Sequence, residues 1–283
     1  MHAIPVDFYK ALEDRFRGSR ETIAGRLAVY RPLLAAHFPQ PQAGPLRAID
    51  IGCGRGEWLE LLTQAGWSCK GVDTDARMLE YCRGLGFDVE GVDAIDYLAS
   101  LPQASVALVT GFHIVEHLPT GSVIELLRQV RRVLMPDGLA ILETPNPENL
   151  MVGAHLFYLD PTHERPVPPL LLQFMGEFAG FGTSEILRLH PAAASPLEPQ
   201  DKVGMHLGPF FWGPHDYALL AAPSAAAAQT IRDFVAGVDN AATDAPQAAA
   251  NEESQADTAA AQQTSVFPLN RFLKRILTPS SRT

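Results

Sequence analysis

An apolar run that ends in an acid, followed by glycine at every second position, constrains this chain more than any other feature. The stretch is Ala48-Ile-Asp-Ile-Gly-Cys-Gly-Arg-Gly-Glu-Trp58, with Gly52, Gly54 and Gly56. A short buried strand, a glycine-rich turn and a helix start form the device by which α/β proteins bring backbone N–H groups against a nucleotide-like ligand. A dinucleotide fingerprint places its third glycine where this chain has Glu57, so the turn is of a different kind. The competing reading is an ordinary structural turn between strand and helix.

The rest of the pattern agrees with an α/β domain. Strands are predicted over 46–51, 68–73, 86–90, 104–110 and 138–144, with helical stretches near 56–66, 75–84 and 121–134 between them. Strands joined by helical crossovers make a parallel, doubly wound sheet. Beyond Pro145 a Pro-rich loop, 160–169, leads to a helix around 170–180 and two further strands, Thr183–Leu189 and Asp216–Ala222. Ahead of the domain, 7–38 reads as two helical segments, with a helix start at Ser19. The expected organisation is a helical extension (1–45), the α/β domain (46–222), a disordered Ala/Gln-rich linker (223–265, with room for a short helix near 225–238) and a basic amphipathic tail (266–283).

Composition narrows the function. A net charge of −10 argues against a broad nucleic-acid surface, which needs clustered Lys and Arg, so no nucleic-acid partner is expected. The three cysteines lack C-x-x-C spacing and read as thiols in a reducing compartment. No basic segment leads into an apolar run at the start, and no apolar stretch is long enough to span a bilayer, so a cytoplasmic location is expected.

The G-x-G-x-G form after Asp50 resembles motif I of the class I S-adenosylmethionine (SAM) methyltransferases, and the resemblance extends over roughly 46–222. It implies a seven-stranded, mostly parallel sheet with helices on both faces and an antiparallel final strand. It also implies SAM as cofactor. The backbone at Gly52, Gly54 and Gly56 would approach its methionine and ribose, and Asp50 its ammonium group. Asp73, 19 residues beyond Gly54, has the spacing of a ribose-binding acid. By the resemblance, Asp93 accepts from the adenine amino group while Ala94 lets the backbone approach the ring.

Methyl transfer to a hydroxyl needs a group that takes up its proton, and that group belongs on a loop at the carboxyl edge of the sheet. His163, in Asp160-Pro-Thr-His-Glu-Arg-Pro166, is the first candidate for the base, since its ordinary pKa near 6.5 leaves it neutral at cytosolic pH. His113 is the second. The resemblance places Glu116 or His117 near substrate or cofactor, and the alternative is that His117 packs the following turn. His113–His117 also spells H-x-x-E-H, an inverted zinc-protease signature, but Pro119 denies it the sustained helix that motif requires. No metal ligands are predicted.

The runs Phe8–Glu21, Gly111–Pro119, Glu143–Leu150 and Phe157–His163 resemble bacterial methyltransferases of O-antigen and surface-polysaccharide assembly, including chain-terminating types. That resemblance implies a sugar hydroxyl of a surface glycan, or its lipid-linked precursor, as acceptor. The alternatives are a small-molecule O-methyltransferase of the quinone or aromatic type and a non-catalytic SAM-binding scaffold. In the tail, Leu269, Phe272, Leu273, Ile276 and Leu277 fall at helical spacing beside Arg271, Lys274 and Arg275. Such a helix would dock on the inner face of the cell membrane or on a glycosyltransferase complex.

Overall fold

The computed structural model describes residues 18–39, 44–191 and 202–238, together with Phe8, Leu12, Arg15 and Phe16. Seven strands form one sheet: β1 (Arg47–Ile51), β2 (Ser68–Asp73), β3 (Val89–Gly91), β4 (Val106–Phe112), β5 (Leu134–Pro145), β6 (Thr183–Pro191) and β7 (Pro214–Ala222). Their order is β3-β2-β1-β4-β5-β7-β6. The neighbours from β3 to β5 pair in parallel, while β7 runs antiparallel between β5 and β6. This is the expected fold class, a mostly parallel seven-stranded sheet of Rossmann-like methyltransferase type.

Helices α1 (Arg20–Leu27) and α2 (Arg31–His37) precede the sheet, joined by a short 3₁₀ turn at Ala28–Tyr30. Then follow α3 (Glu57–Gln64), α4 (Ala76–Gly84), α5 (Ala94–Ser100), α6 (Thr120–Val133), α7 (Leu150–Ala154), α8 (Pro169–Phe178), α9 (Lys202–Trp212) and α10, over 228–238. Their starts are chemically marked. The Ser19 side chain accepts from the Thr22 N–H, Asp75 from Arg77, Asp93 from Ile95 and Asp96, and Asn149 from Met151 and Val152.

Because successive side chains of a strand point to opposite faces, the sheet has two cores. On one face Ile49, Ile51 and Val109 pack with α5, α6 and α8 through Leu98, Leu126, Val130 and Leu172. On the other, Ala48, Leu108 and Ile141 pack with Leu27, Leu33 and Leu34 of α1 and α2, Trp58 and Leu62 of α3, and Ile231 of α10. A smaller cluster holds Cys53, Leu59, Leu79 and Cys82.

The differences from the sequence expectation have local causes. Three helices, α5, α7 and α9, were not anticipated. The first two are only 7 and 5 residues long, too short to show a helical period, and α9 carries Pro209 inside it. The third strand begins at Val89 instead of 86, because Gly86 turns the chain with φ of +85°. The fifth strand extends back to Leu134, directly from the last residue of α6.

Both proposed boundaries of the α/β domain cut through packed structure. The helices of the extension cover one face of the sheet, and the short helix near 225–238 is present as α10, with Ile231 fully buried against that same face. The rest of the expected linker, 239–265, and the tail 266–283 lie outside the described residues. No helix among the described residues is long and apolar enough to cross a membrane. Ile231→Ala should cost about 2–5 kcal/mol in urea unfolding, the range for emptying a buried aliphatic site; an unchanged midpoint would make α10 a passive appendage.

Candidate functional site at the carboxyl edge of the sheet

The turn after β1 is held from two sides. The N–H groups of Gly52 and Cys53 donate to the Val72 carbonyl at 2.7 and 3.1 Å, and the Gly54 N–H donates to Asp73 Oδ2 at 2.9 Å. Gly52, Gly54 and Gly56 all have left-handed φ, of +65°, +51° and +76°. Side chains other than glycine strain there, which is why the turn needs its alternate glycines. Asp73 Oδ1 accepts from the Asp75 N–H at 2.8 Å, so this one carboxylate braces both the glycine turn and the start of α4. Asp50 is buried and accepts from the Thr110 hydroxyl at 2.7 Å.

A cavity of about 970 Å³ opens over this edge, at the upper end of the ~300–1,000 Å³ found for small-molecule sites. Asp50, Gly52, Gly54, Asp73, Asp93 and Ala94 line it. The six residues come from three strand ends that the parallel sheet brings side by side. Gly56 is the exception: it does not line the cavity. A Cβ there would stand 3.0 Å from Cys82 Sγ and from Phe87, so its contribution is close packing between turn and α4.

The three histidines expected from the sequence line the same cavity, with Trp58, Phe112, Leu156 and Leu159. His163 Nδ1 lies 2.6 Å from the Phe157 carbonyl oxygen, which can only accept, so Nδ1 carries the proton and Nε2 keeps its lone pair. Burial pushes this imidazole below its ordinary pKa against the opposing charge of Glu116, with the neighbouring His117 adding to the downward shift. It is therefore neutral at pH 7. His117 is oriented in a similar way. The Thr162 hydroxyl gives its proton to Asp160 Oδ1 at 2.6 Å and accepts from His117 Nδ1 at 2.9 Å. The two rings meet edge to face, with centroids 4.7 Å apart.

His113 belongs to a different constellation. The residue sits in the left-handed region, φ +57°, with its N–H bonded to the Glu143 carbonyl at 2.8 Å. Its Nδ1 is 3.1 Å from Glu116 Oε1, and its Nε2 is 3.8 Å from both Glu143 and Asp216. Glu143 accepts from the Tyr30 hydroxyl, and Asp216 from His190 Nδ1 at 2.9 Å. Three buried carboxylates thus surround one imidazole. The H-x-x-E-H segment is a bend just after β4 followed by a 3₁₀ turn at Val115–His117, so no zinc-protease helix forms. Two ligand-type groups nevertheless assemble among the described residues, Glu116–His117–His163 and His113–Glu143–Asp216, each with atoms within 4.8 Å of one another.

Residues 20–175 match the methyltransferase domain family. The chain belongs to the SAM-dependent methyltransferases. A solved SAM-dependent methyltransferase from Archaeoglobus fulgidus is 34% identical, with a TM-score of 0.66, over 76% of this chain and all of that one. A ubiquinone biosynthesis O-methyltransferase of Aeromonas salmonicida is 27% identical over 57% of this chain and 72% of its own length. A trans-aconitate 2-methyltransferase of Sinorhizobium fredii is 32% identical over 47% of this chain and 49% of its own. Across such relatives the match spans between about half and three quarters of their length.

The family's cofactor is SAM, and the site fits it: a left-handed glycine turn in the cavity wall, and carboxylates at the strand ends facing a cationic, hydroxyl-bearing ligand. What the sequence did not reveal in this methyltransferase is the acid cluster. Tyr30, Glu143, His190 and Asp216 are scattered over 187 positions (216 − 30 + 1) and meet only through the sheet and α1–α2. Nothing local in the sequence signals them.

Electrostatics of the cluster follow from the geometry. Burial works to lower the His113 pKa, but the hydrogen bond and charge of Glu116, then the charges of Asp216 and Glu143, overcome it and push His113 up to about 9. Burial and the neighbouring Asp216 raise Glu143. Burial also opposes charge on Asp216, and the His190 hydrogen bond still holds it below the ordinary carboxylate value. Since the folded pKa of His113 lies above its ordinary 6.5, the stability this imidazolium contributes is complete below about 6.5 and lost as pH rises through about 9. Glu116→Gln should bring the His113 titration down from about 9 toward 6.5 in a proton NMR titration of the imidazole; a curve that does not move would remove Glu116 as the cause.

Proposed function

We propose that the enzyme transfers the SAM methyl group to a hydroxyl of a small-molecule acceptor with an apolar scaffold, and that His163 takes up the hydroxyl proton. The observation that carries this reading is the His163 geometry: a neutral imidazole in the cavity wall, Nδ1 committed to a carbonyl, Nε2 left as a base. His117, oriented by Thr162 and Asp160, stands beside it and is placed to share the proton.

In the same cavity, the backbone of Gly52 and Gly54 would lie against the methionine and ribose, with Asp50 on the ammonium group and Asp73 on the ribose hydroxyls. Asp93 and Ala94 would meet the adenine. Asp93 spends one oxygen on the start of α5, which fixes its carboxylate in the wall. Bound SAM supplies an electrophilic methyl group on a sulfonium; the chain's contribution is to align the acceptor and hold its proton. His113, already charged against three carboxylates, is less suited to accept a proton.

The acceptor class is read from the wall. Trp58, Phe112, Leu156, Leu159 and Ile23 make part of it apolar and aromatic, whereas a sugar needs a rim of hydrogen-bonding groups. The relatives named above act, by their names, in ubiquinone biosynthesis and on trans-aconitate. Both features favour the small-molecule alternative over the glycan acceptor suggested by the polysaccharide-assembly resemblance.

Calorimetric titration with SAM should show binding that Asp73→Ala weakens by about 1–3 kcal/mol, the loss expected for a charged hydrogen-bond acceptor. With an acceptor in hand, His163→Ala should lower turnover by roughly 10²-fold while SAM affinity holds. A normal rate in that variant removes His163 from the chemistry, and a folded wild-type protein that binds SAM without turning over any hydroxyl acceptor would leave the scaffold reading.

A further inference from the structure

On α1, Ile23, Arg26 and Leu27, followed by Tyr30, fall at helical spacings of three, four and seven and so share one face. Leu27 and Tyr30 are buried, and Ile23 packs against the same core. Arg26 interrupts this apolar stripe. It lines the cavity alongside Phe16, Ile23 and Leu27, and it is the one Lys or Arg among the described residues that do so.

Its guanidinium makes no hydrogen bond to the described residues, although its charge acts on Asp216 and His215. The contrast with Arg20, six positions earlier on the same helix, is direct: Arg20 bonds Glu60 at 2.6 Å and the Arg55 carbonyl. The two nearby acids take their hydrogen bonds from other donors. Glu143 takes the Tyr30 hydroxyl, and Asp216 takes His190.

A guanidinium with no hydrogen bond to the described residues, set in an otherwise apolar stripe of the cavity wall, fits a ligand rich in acceptor oxygens. We infer that Arg26 recognises an oxyanion on the acceptor, a carboxylate or a phosphate, and so selects acids over neutral molecules of the same shape. The planar fork of the guanidinium matches either group with two parallel hydrogen bonds. The inference rests on the reading of this part of the cavity as the acceptor site and adds the class of acceptor to it. The apolar wall would hold the scaffold, Arg26 would hold its charged end, and the hydroxyl would be directed toward the histidines.

The test uses the full chain with S-adenosylhomocysteine bound and matched probes: 3,4-dihydroxybenzoate against its amide, trans-aconitate against its triamide, and phenyl phosphate against phenol. In calorimetry the anionic member of at least one pair should bind ten-fold or more tighter than the neutral one. Arg26→Gln should erase that ratio and Arg26→Lys should retain part of it, with thermal midpoints confirming that each variant is folded. The pair with the larger ratio separates carboxylate from phosphate. Anions that bind no tighter than their neutral partners, no binding by any anionic probe, or a preference that survives Arg26→Gln would each overturn the inference. Release of S-adenosylhomocysteine from SAM with the same acids reports the chemistry separately. Binding through Arg26 without methyl transfer would refute the hydroxyl-methylation reading and leave this inference standing.

Discussion

The hydrogen bond from the Gly54 N–H to Asp73 Oδ2 ties the turn after β1 to the end of β2, and the carboxyl edge of the sheet is organised around it. With its other oxygen Asp73 holds the start of α4, and the Val72 carbonyl beside it accepts from Gly52 and Cys53. A turn with three residues in the left-handed region has many ways to relax, and these bonds leave it one. The floor of the cavity is set before any ligand arrives, because the parallel pairing of β1 with β2 and β4 puts Asp50, Asp73 and Phe112 at adjacent strand ends.

A second constraint is buried charge. Glu116, Glu143 and Asp216 are buried together, an arrangement that would be strongly unfavourable without positive charge and donors nearby. His113, His190 and the Tyr30 hydroxyl supply them. Tyr30 comes from the segment between α1 and α2, so the helices ahead of the sheet are locked to it by a polar contact as well as by Leu27, Leu33 and Leu34. The same docking brings Ile23 and Arg26 into the cavity wall. Part of the cavity wall thus depends on a segment that precedes the first strand.

How much of this was legible depended on whether the signal was local. The seven strands, the helix start at Ser19 and the short helix near 225–238 were readable, since each is announced by alternation, a capping side chain or a run of helix formers within about ten residues. That Asp50, Gly52, Gly54, Asp73, Asp93 and Ala94 gather at one cavity was readable because each lies at or just beyond the end of a strand. Gly56 belonged to the same pattern, yet it packs against Cys82 and Phe87, partners 26 and 31 residues away that no turn motif reveals. Short helices such as α5 and α7 went unnoticed because one turn and a half shows no period.

Sequence alone determined the fold class, the glycine turn, the order of acids along the strand ends and the place of His113, His117 and His163 on loops that line the cavity. Those properties come from patterns over a few residues, and backbone geometry converts them into position almost directly. Only the tertiary structure decided which histidine keeps its Nε2 lone pair and which one faces three acids. That depends on a carbonyl from Phe157 for one and on Glu116, Glu143 and Asp216 for the other. Protonation follows from burial and from charges brought together across the sheet, so its cause lies in the packing and not in the spacing of the residues themselves.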